Sequence, residues 1–188
     1  MNAFRAIRVF LFLALMLQAM LPFPRSYAQD TARVHKLLSR GLELHESRPD
    51  SAMVFYRAVI DEFEKNADSL DFHDPDTVLK TYLSSVIRAI NQTGNIYYYR
   101  DEYNQAGFYF RQSLQLAEKA KLNANAARAL FDIGYVEYKK SNYRQALELF
   151  ENAAEIYAQL KDRQGRYHVM NACGLTYNRL RDFPGADS

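Results

Sequence analysis

Between residues 126 and 140, Ala126, Ala127, Leu130, Ile133, Tyr135, Val136 and Tyr138 recur at three- and four-residue steps. That spacing lines one face of an α-helix. Ser141 and Asn142 interrupt it, and Asn142 stands where the next helix would be capped. Tyr143, Ala146, Leu147, Phe150, Ala153, Ala154 and Tyr157 then resume the same steps. The pattern predicts two antiparallel helices joined by a tight turn.

The unit is repeated. Gly94, Gly134 and Gly174 follow one another at intervals of 40 residues. Twelve positions after each stands Ala106, Ala146 or Ala186, and three positions before each alanine stands Tyr103, Tyr143 or Phe183. Four residues after the first two alanines come Phe110 and Phe150. Gly134 and Ala146 are read as small because two helices cross closely there, and Phe150 as filling space between this pair and the next. A weaker copy spans residues 33–66, where Pro49 opens a second helix in the first turn that suits it. Ala52, Tyr56 and Val59 take the places of Ala, Phe and Ala in that copy, and about 14 extra residues, centred on 67–77, separate it from the next.

The order Gly134, Ala146, Phe150, Ala153, with Tyr138 and Tyr143 between, resembles the tetratricopeptide repeat family. The preceding copy carries Gly94, Tyr97, Ala106 and Phe110, with Ser113 in place of the last alanine. Ile90, Leu130 and Met170 replace the family's first aromatic. The resemblance implies an all-α fold, an α-solenoid of helix pairs wound into a superhelix. Its repeats fall at about 33–66, 87–122, 127–162 and an incomplete 167–188, within a domain of residues 29–188. The 40-residue period exceeds the family's usual ~34, which lengthens the helices. That period resembles the repeats at the exported N-terminus of bacterial signalling and regulator proteins. Ser188 falls in the first turn of a second helix, so the chain reads as a fragment of a longer protein. The competing reading is a short chain whose open end docks a partner or a second copy.

Residues 1–28 are read separately. Arg5 and Arg8 precede an apolar run at 9–21, and Pro22, Pro24 and Ser26-Tyr27-Ala28 follow. A basic start, a greasy centre and a small-x-small end make a secretory signal peptide, with an uncleaved anchor as the alternative. The run is shorter than the ~20 residues of a membrane-spanning helix. The expected location is therefore exported, periplasmic or on the outer face of a bacterial membrane. Membrane contact would come only through the leader or a C-terminal anchor beyond this chain. Arg5, Arg8 and Arg25 are the only charges in the leader; without them 21 basic residues face 22 acidic ones. So balanced a chain exerts no global pull on nucleic acid.

Composition narrows the chemistry. Forty-eight per cent apolar and 24% charged residues exclude disorder, and seven glycines with five prolines are too few for a turn-rich β-barrel. A lone Cys173, placed on an inward face, makes neither a disulfide framework nor a zinc site. His35, His45, His73 and His168 lack metal-ligand spacing. The acidic stretch Asp68, Asp71, Asp74 and Asp76 lacks the glycine and distal glutamate of a calcium loop, so Asp74 or Asp76 is read as the cap of a helix from Thr77. No nucleophile elbow, phosphate loop or dinucleotide fingerprint occurs. The expectation is no catalytic residue, metal or cofactor in this segment.

In the resembled family the first helices line a concave groove that binds protein or peptide. Carried over by position, its lining is Arg88, Asn91, Asn95, Tyr98 and Tyr99 in one repeat, Arg128, Phe131, Tyr135, Tyr138 and Lys139 in the next, and His168, Asn171, Leu175, Asn178 and Arg179 in the last. Phe131 and Tyr135 serve equally as packing between repeats. Asp132 and Ala172 stand where a carboxylate-clamping subset carries Asn or Arg, which disfavours such a clamp. Three contexts fit: the extracytoplasmic part of a signalling protein, a free-standing periplasmic adaptor, or the front of a sensor histidine kinase.

Overall fold

The computed structural model describes residues 27–73 and 75–182, and side chains from residue 29 to residue 181 within that span. Of the expected leader, only Tyr27 and Ala28 fall among them. Asp74 and residues 183–188, including Phe183 and Ala186, lie outside. Among the described residues there are helices and no strand: α1 (Tyr27–Leu44), α2 (Pro49–Asn66), α3 (Thr77–Tyr99), α4 (Tyr103–Lys119), α5 (Asn123–Lys139), α6 (Tyr143–Gln159) and α7 (Arg163–Asp182). None of these helices is long and apolar enough to cross a membrane.

Each helix packs on the next, and α1, α3, α5 and α7 also touch in succession. That contact pattern is a stack of antiparallel pairs, with the first helices forming one layer. It agrees with the expected solenoid.

The 40-residue period comes from a finer one of 20. Helices α4, α5 and α6 are each 17 residues long. Three-residue turns join them, and the middle residue of each turn is left-handed: Asp101 at φ 60°, Lys121 at 55°, Ser141 at 65° and Lys161 at 57°. The next residue returns its N–H to a carbonyl in the helix just ended: Glu102 to Tyr97, Leu122 to Ala117, Asn142 to Glu137 and Asp162 to Tyr157. This Schellman closure satisfies helix-end carbonyls and reverses the chain. Glycine usually takes the left-handed place, and here none does.

Asn142 departs from the expected capping role. Its side chain makes no cap bond to α6; Nδ2 donates instead to Glu137 Oε2 at 2.7 Å. Glu137 is buried, and a buried carboxylate needs donors more than an exposed helix start does. Asp76, one of the two expected caps, does cap α3, its Oδ1 accepting the Leu79 N–H at 2.7 Å. The extra segment before it forms a one-turn 3₁₀ helix, Ala67–Ser69. Leu70 is buried and Phe72 packs on the core. Lys119 Nζ sits 4.0 Å from the centroid of the Phe72 ring, a cation–π contact.

The recurrent spacing of glycine and aromatic has a direct cause. A Cβ on Gly134 would lie 2.5 Å from Phe150, and one on Gly94 would lie 2.6 Å from Phe110. Phe150 and Phe110 are buried. The ring therefore seats on the glycine of its own pair, which corrects the expectation that Phe150 fills space toward the next pair. The first pair does the same with Gly41, whose Cβ would lie 2.4 Å from Tyr56. Gly174 differs: no described atom comes within 4 Å of its Cβ position.

Ser113 occupies the place that Ala153 holds one repeat later. It is fully buried, and its Oγ has no hydrogen-bond partner among the described residues. Replacing Ser113 with Ala removes an unsatisfied hydroxyl and adds helix propensity, so Ser113→Ala should stabilise the chain by about 1 kcal/mol. Urea unfolding measures this, and a lower midpoint would show that the hydroxyl has a partner after all.

Candidate functional site

Helix phase decides which side chains of α3 and α5 face the hollow. Leu83, Val86, Ile87 and Ile90 of α3 are buried in the core. Arg88, Asn91 and Asn95 stand on the neighbouring face, at steps of three and four. They open into a cavity of about 290 Å³, which Ser84, Gln92, Asn125, Arg128 and Asp132 also line. Asn125 Nδ2 donates to Ser84 Oγ at 3.5 Å across the two helices, and Asn95 Nδ2 donates to Gln92 Oε1 at 2.7 Å.

Asn95, Arg128 and Asp132 also face a second cavity of about 280 Å³, completed by rings of Tyr98, Tyr99, Phe110, Phe131 and Tyr135. Phe131 and Tyr135 serve both uses considered for them. They meet edge to face at 4.8 Å, rest on Phe150 at 5.7 and 5.4 Å, and still line the cavity. On the other side, Arg88 borders a third hollow of about 380 Å³ between α1 and α3, with His35, Ser39 and Lys80. A wider recess of about 650 Å³ joins Gln92, Asn95, Tyr99 and Arg128 to His45 and Arg100. Shared residues make these hollows one continuous channel along α1, α3 and α5.

Arg128 and Asp132 form its electrostatic centre. Arg128 Nε donates to Asp132 Oδ1 at 3.1 Å and to Oδ2 at 3.0 Å. The Asp132 side chain is only 8% exposed, while that of Arg128 is 56% exposed. Burial pushes the Asp132 carboxyl up to about 6, against the lowering pull of Arg128. Coulombic attraction to Asp132 raises Arg128 in return. Burial holds the Tyr98 hydroxyl up at about 12, so it stays a neutral donor.

The channel thus assembles eight of the residues carried over by position: Arg88, Asn91, Asn95, Tyr98, Tyr99, Arg128, Phe131 and Tyr135. The others line none of these hollows. Tyr138 packs edge to face on Tyr143 and accepts a bond from Arg179 Nε at 3.3 Å. Lys139 Nζ lies 6.0 Å from the Tyr98 ring centroid. His168, Asn171 and Asn178 are exposed on α7. The positions carried over as lining do not include Gln92 and Asn125, and Asp132 entered only as a departure from the clamp pattern. Asp132 sits four residues from Arg128 on one helix, a pairing signal present in the sequence.

Among the described residues, no group of three His, Cys, Asp or Glu side chains gathers as metal ligands. His45 Nδ1 instead shares a 3.1 Å hydrogen bond with the Tyr56 hydroxyl. Cys173 is half-buried, and burial raises its thiol.

A helical stack of this kind is an architecture that presents an extended concave surface. Residues 85–159 match the family model described as tetratricopeptide repeat, and that segment is a non-catalytic scaffold. The chain is also similar to a Tonsoku-like protein of Danio rerio, 25% identical over 127 residues. That match covers 67% of this chain and 9% of the relative's length. Together they support a tetratricopeptide-repeat protein.

Proposed function

We propose that the channel along α1, α3 and α5 captures a segment of a protein or peptide. The observation that carries this reading is the shared lining of its hollows, with hydroxyls, His35 and Lys80 between α1 and α3, amides and guanidinium groups in the middle, and rings at the far end. Rings supply contact area, amides bond a peptide backbone and guanidinium pairs carboxylate. The test is capture from a random hexapeptide display library by the full chain. Tyr99→Ala removes a ring that is 78% exposed, so the fold should survive while retained peptides fall about tenfold. Equal retention would overturn the assignment of this face.

The wider setting we propose is an exported scaffold, the extracytoplasmic part of a larger bacterial signalling protein. The three-part pattern of residues 1–28 and the 40-residue period support it. Residues 1–28 fused to alkaline phosphatase should give an active enzyme, because its disulfides form only outside the bacterial cytoplasm. An inactive fusion that retains Met1 would refute export.

A further inference from the structure

The channel has a defined polarity of its own. Arg88 is exposed, and no described residue forms an ion pair or hydrogen bond with it. Arg128 spends Nε on Asp132, and its terminal Nη1 and Nη2 have no described partner. Both arginines line the same cavity of about 290 Å³, in which Asp132 is the single acidic side chain. Two fixed positive charges therefore face one carboxylate that is already engaged.

A second observation points to a ligand. Asn91 lines that cavity and is 9% exposed, and its Oδ1 is buried with no hydrogen-bond partner among the described residues. A buried carbonyl oxygen left unmatched costs free energy, and an N–H donor entering the cavity relieves it. A third observation gives direction. The arginine-lined cavity stands between two other hollows, sharing Arg88 with the α1–α3 recess and Arg128 with the ring-lined one. A chain bound at the arginines has room to continue both ways.

Resting on the channel reading above, we propose that its ligand is an extended internal peptide segment bearing an Asp or Glu beside an aromatic or branched apolar residue. The acidic side chain pairs with Arg88 and the free edge of Arg128. A backbone N–H next to it donates to Asn91 Oδ1. The apolar neighbour enters the cavity among Tyr98, Tyr99, Phe131 and Tyr135. That cavity, about 280 Å³, is several times the roughly 30 Å³ share of one water, so it admits a whole side chain. A terminal carboxylate is the poorer occupant, because the chain would stop at the arginines and leave one flanking hollow unfilled.

The test uses fluorescent hexapeptide pools with the full chain. Each pool is acetylated and amidated, carries a central Glu-Phe, Gln-Phe or Lys-Phe pair, and is random elsewhere. Fluorescence polarisation should show the Glu-Phe pool binding at least tenfold more tightly than the Gln-Phe pool, with the Lys-Phe pool weaker still. Arg88→Gln, which removes no hydrogen bond or ion pair among the described residues, should narrow the Glu-over-Gln preference severalfold. Adding Arg128→Gln should abolish it, leaving the Glu-Phe and Gln-Phe pools equal. Equal binding of the Glu-Phe and Gln-Phe pools to the unaltered chain overturns the acidic-ligand proposal and leaves the channel reading standing. A further Glu-Phe pool left with a free C-terminal carboxylate should bind no more tightly than the amidated one, and tighter binding overturns the internal-segment part. Binding by no pool overturns both.

Discussion

Gly134→Leu should destabilise the chain by about 3 kcal/mol, at the upper end of what overpacking a core costs. Phe150 already occupies the space, 2.5 Å from where the new Cβ would stand. That ring is fully buried and is held against Phe131 and Tyr135, so it has no open side to turn toward. Helix propensity acts the other way, but its roughly 1 kcal/mol gain over glycine is the smaller effect. Gly174→Ala, one period on, should have the opposite sign. No described atom lies within 4 Å of its Cβ position, so propensity acts alone and the gain is up to about 1 kcal/mol. Denaturant unfolding of the two variants decides the matter. Equal effects at both positions would show that the close approach of ring to glycine does not limit the fold.

Asp132→Asn should stabilise the chain at pH 7.5 by about 2–3 kcal/mol, and the gain should vanish near pH 4. Burial lifts the carboxyl from 3.8 to about 6. Between those values the native state holds a proton that the unfolded state has lost, so stability rises as pH falls through that window. Above it, the folded chain carries the cost of a buried charge, roughly 1.4 kcal/mol for each tenfold gain in the carboxylate's proton affinity on folding. Asparagine removes the charge and keeps an oxygen for Arg128 Nε. The difference between variant and unaltered chain, followed from pH 4 to 7.5, isolates this group from the histidines. A flat difference would mean that Arg128 compensates the carboxylate fully. The carboxyl that burial raises is thus one that faces the channel, where a charge has a use that packing does not supply.

The architecture is legible in the sequence because its cause is local and recurrent. Gly94 with Phe110 and Gly134 with Phe150 keep one offset of 16 residues, since a ring four residues past the alanine of the second helix must land on the glycine of the first. Gly41 with Tyr56 does not stand out, because its offset is 15 and the inserted segment shifts its phase. The 20-residue half-period is hidden too. Its marker is a left-handed residue that elsewhere is usually glycine, and Asp101, Lys121, Ser141 and Lys161 share no common turn-forming type. The channel is legible in part. Family positions locate Arg88, Asn91 and Arg128, but they also name Tyr138 and Lys139, near the end of α5, where the Tyr143 ring and the Tyr98 ring receive them.

From the order of its residues alone, this chain was bound to form paired helices of repeated length, because apolar spacing, small residues at crossings and breaks in pattern act within a few turns of backbone. Which polar groups meet across those helices was decided only by the stacked fold. Arg88 and Arg128 lie 40 residues apart and belong to different repeats. That spacing of one period sets them on one face, but the cavity they share, the burial of Asn91 Oδ1 beside them and the raised Asp132 carboxyl come from packing alone. Burial and proximity are properties of the packed layer of first helices, and they arise only once α3 and α5 lie side by side.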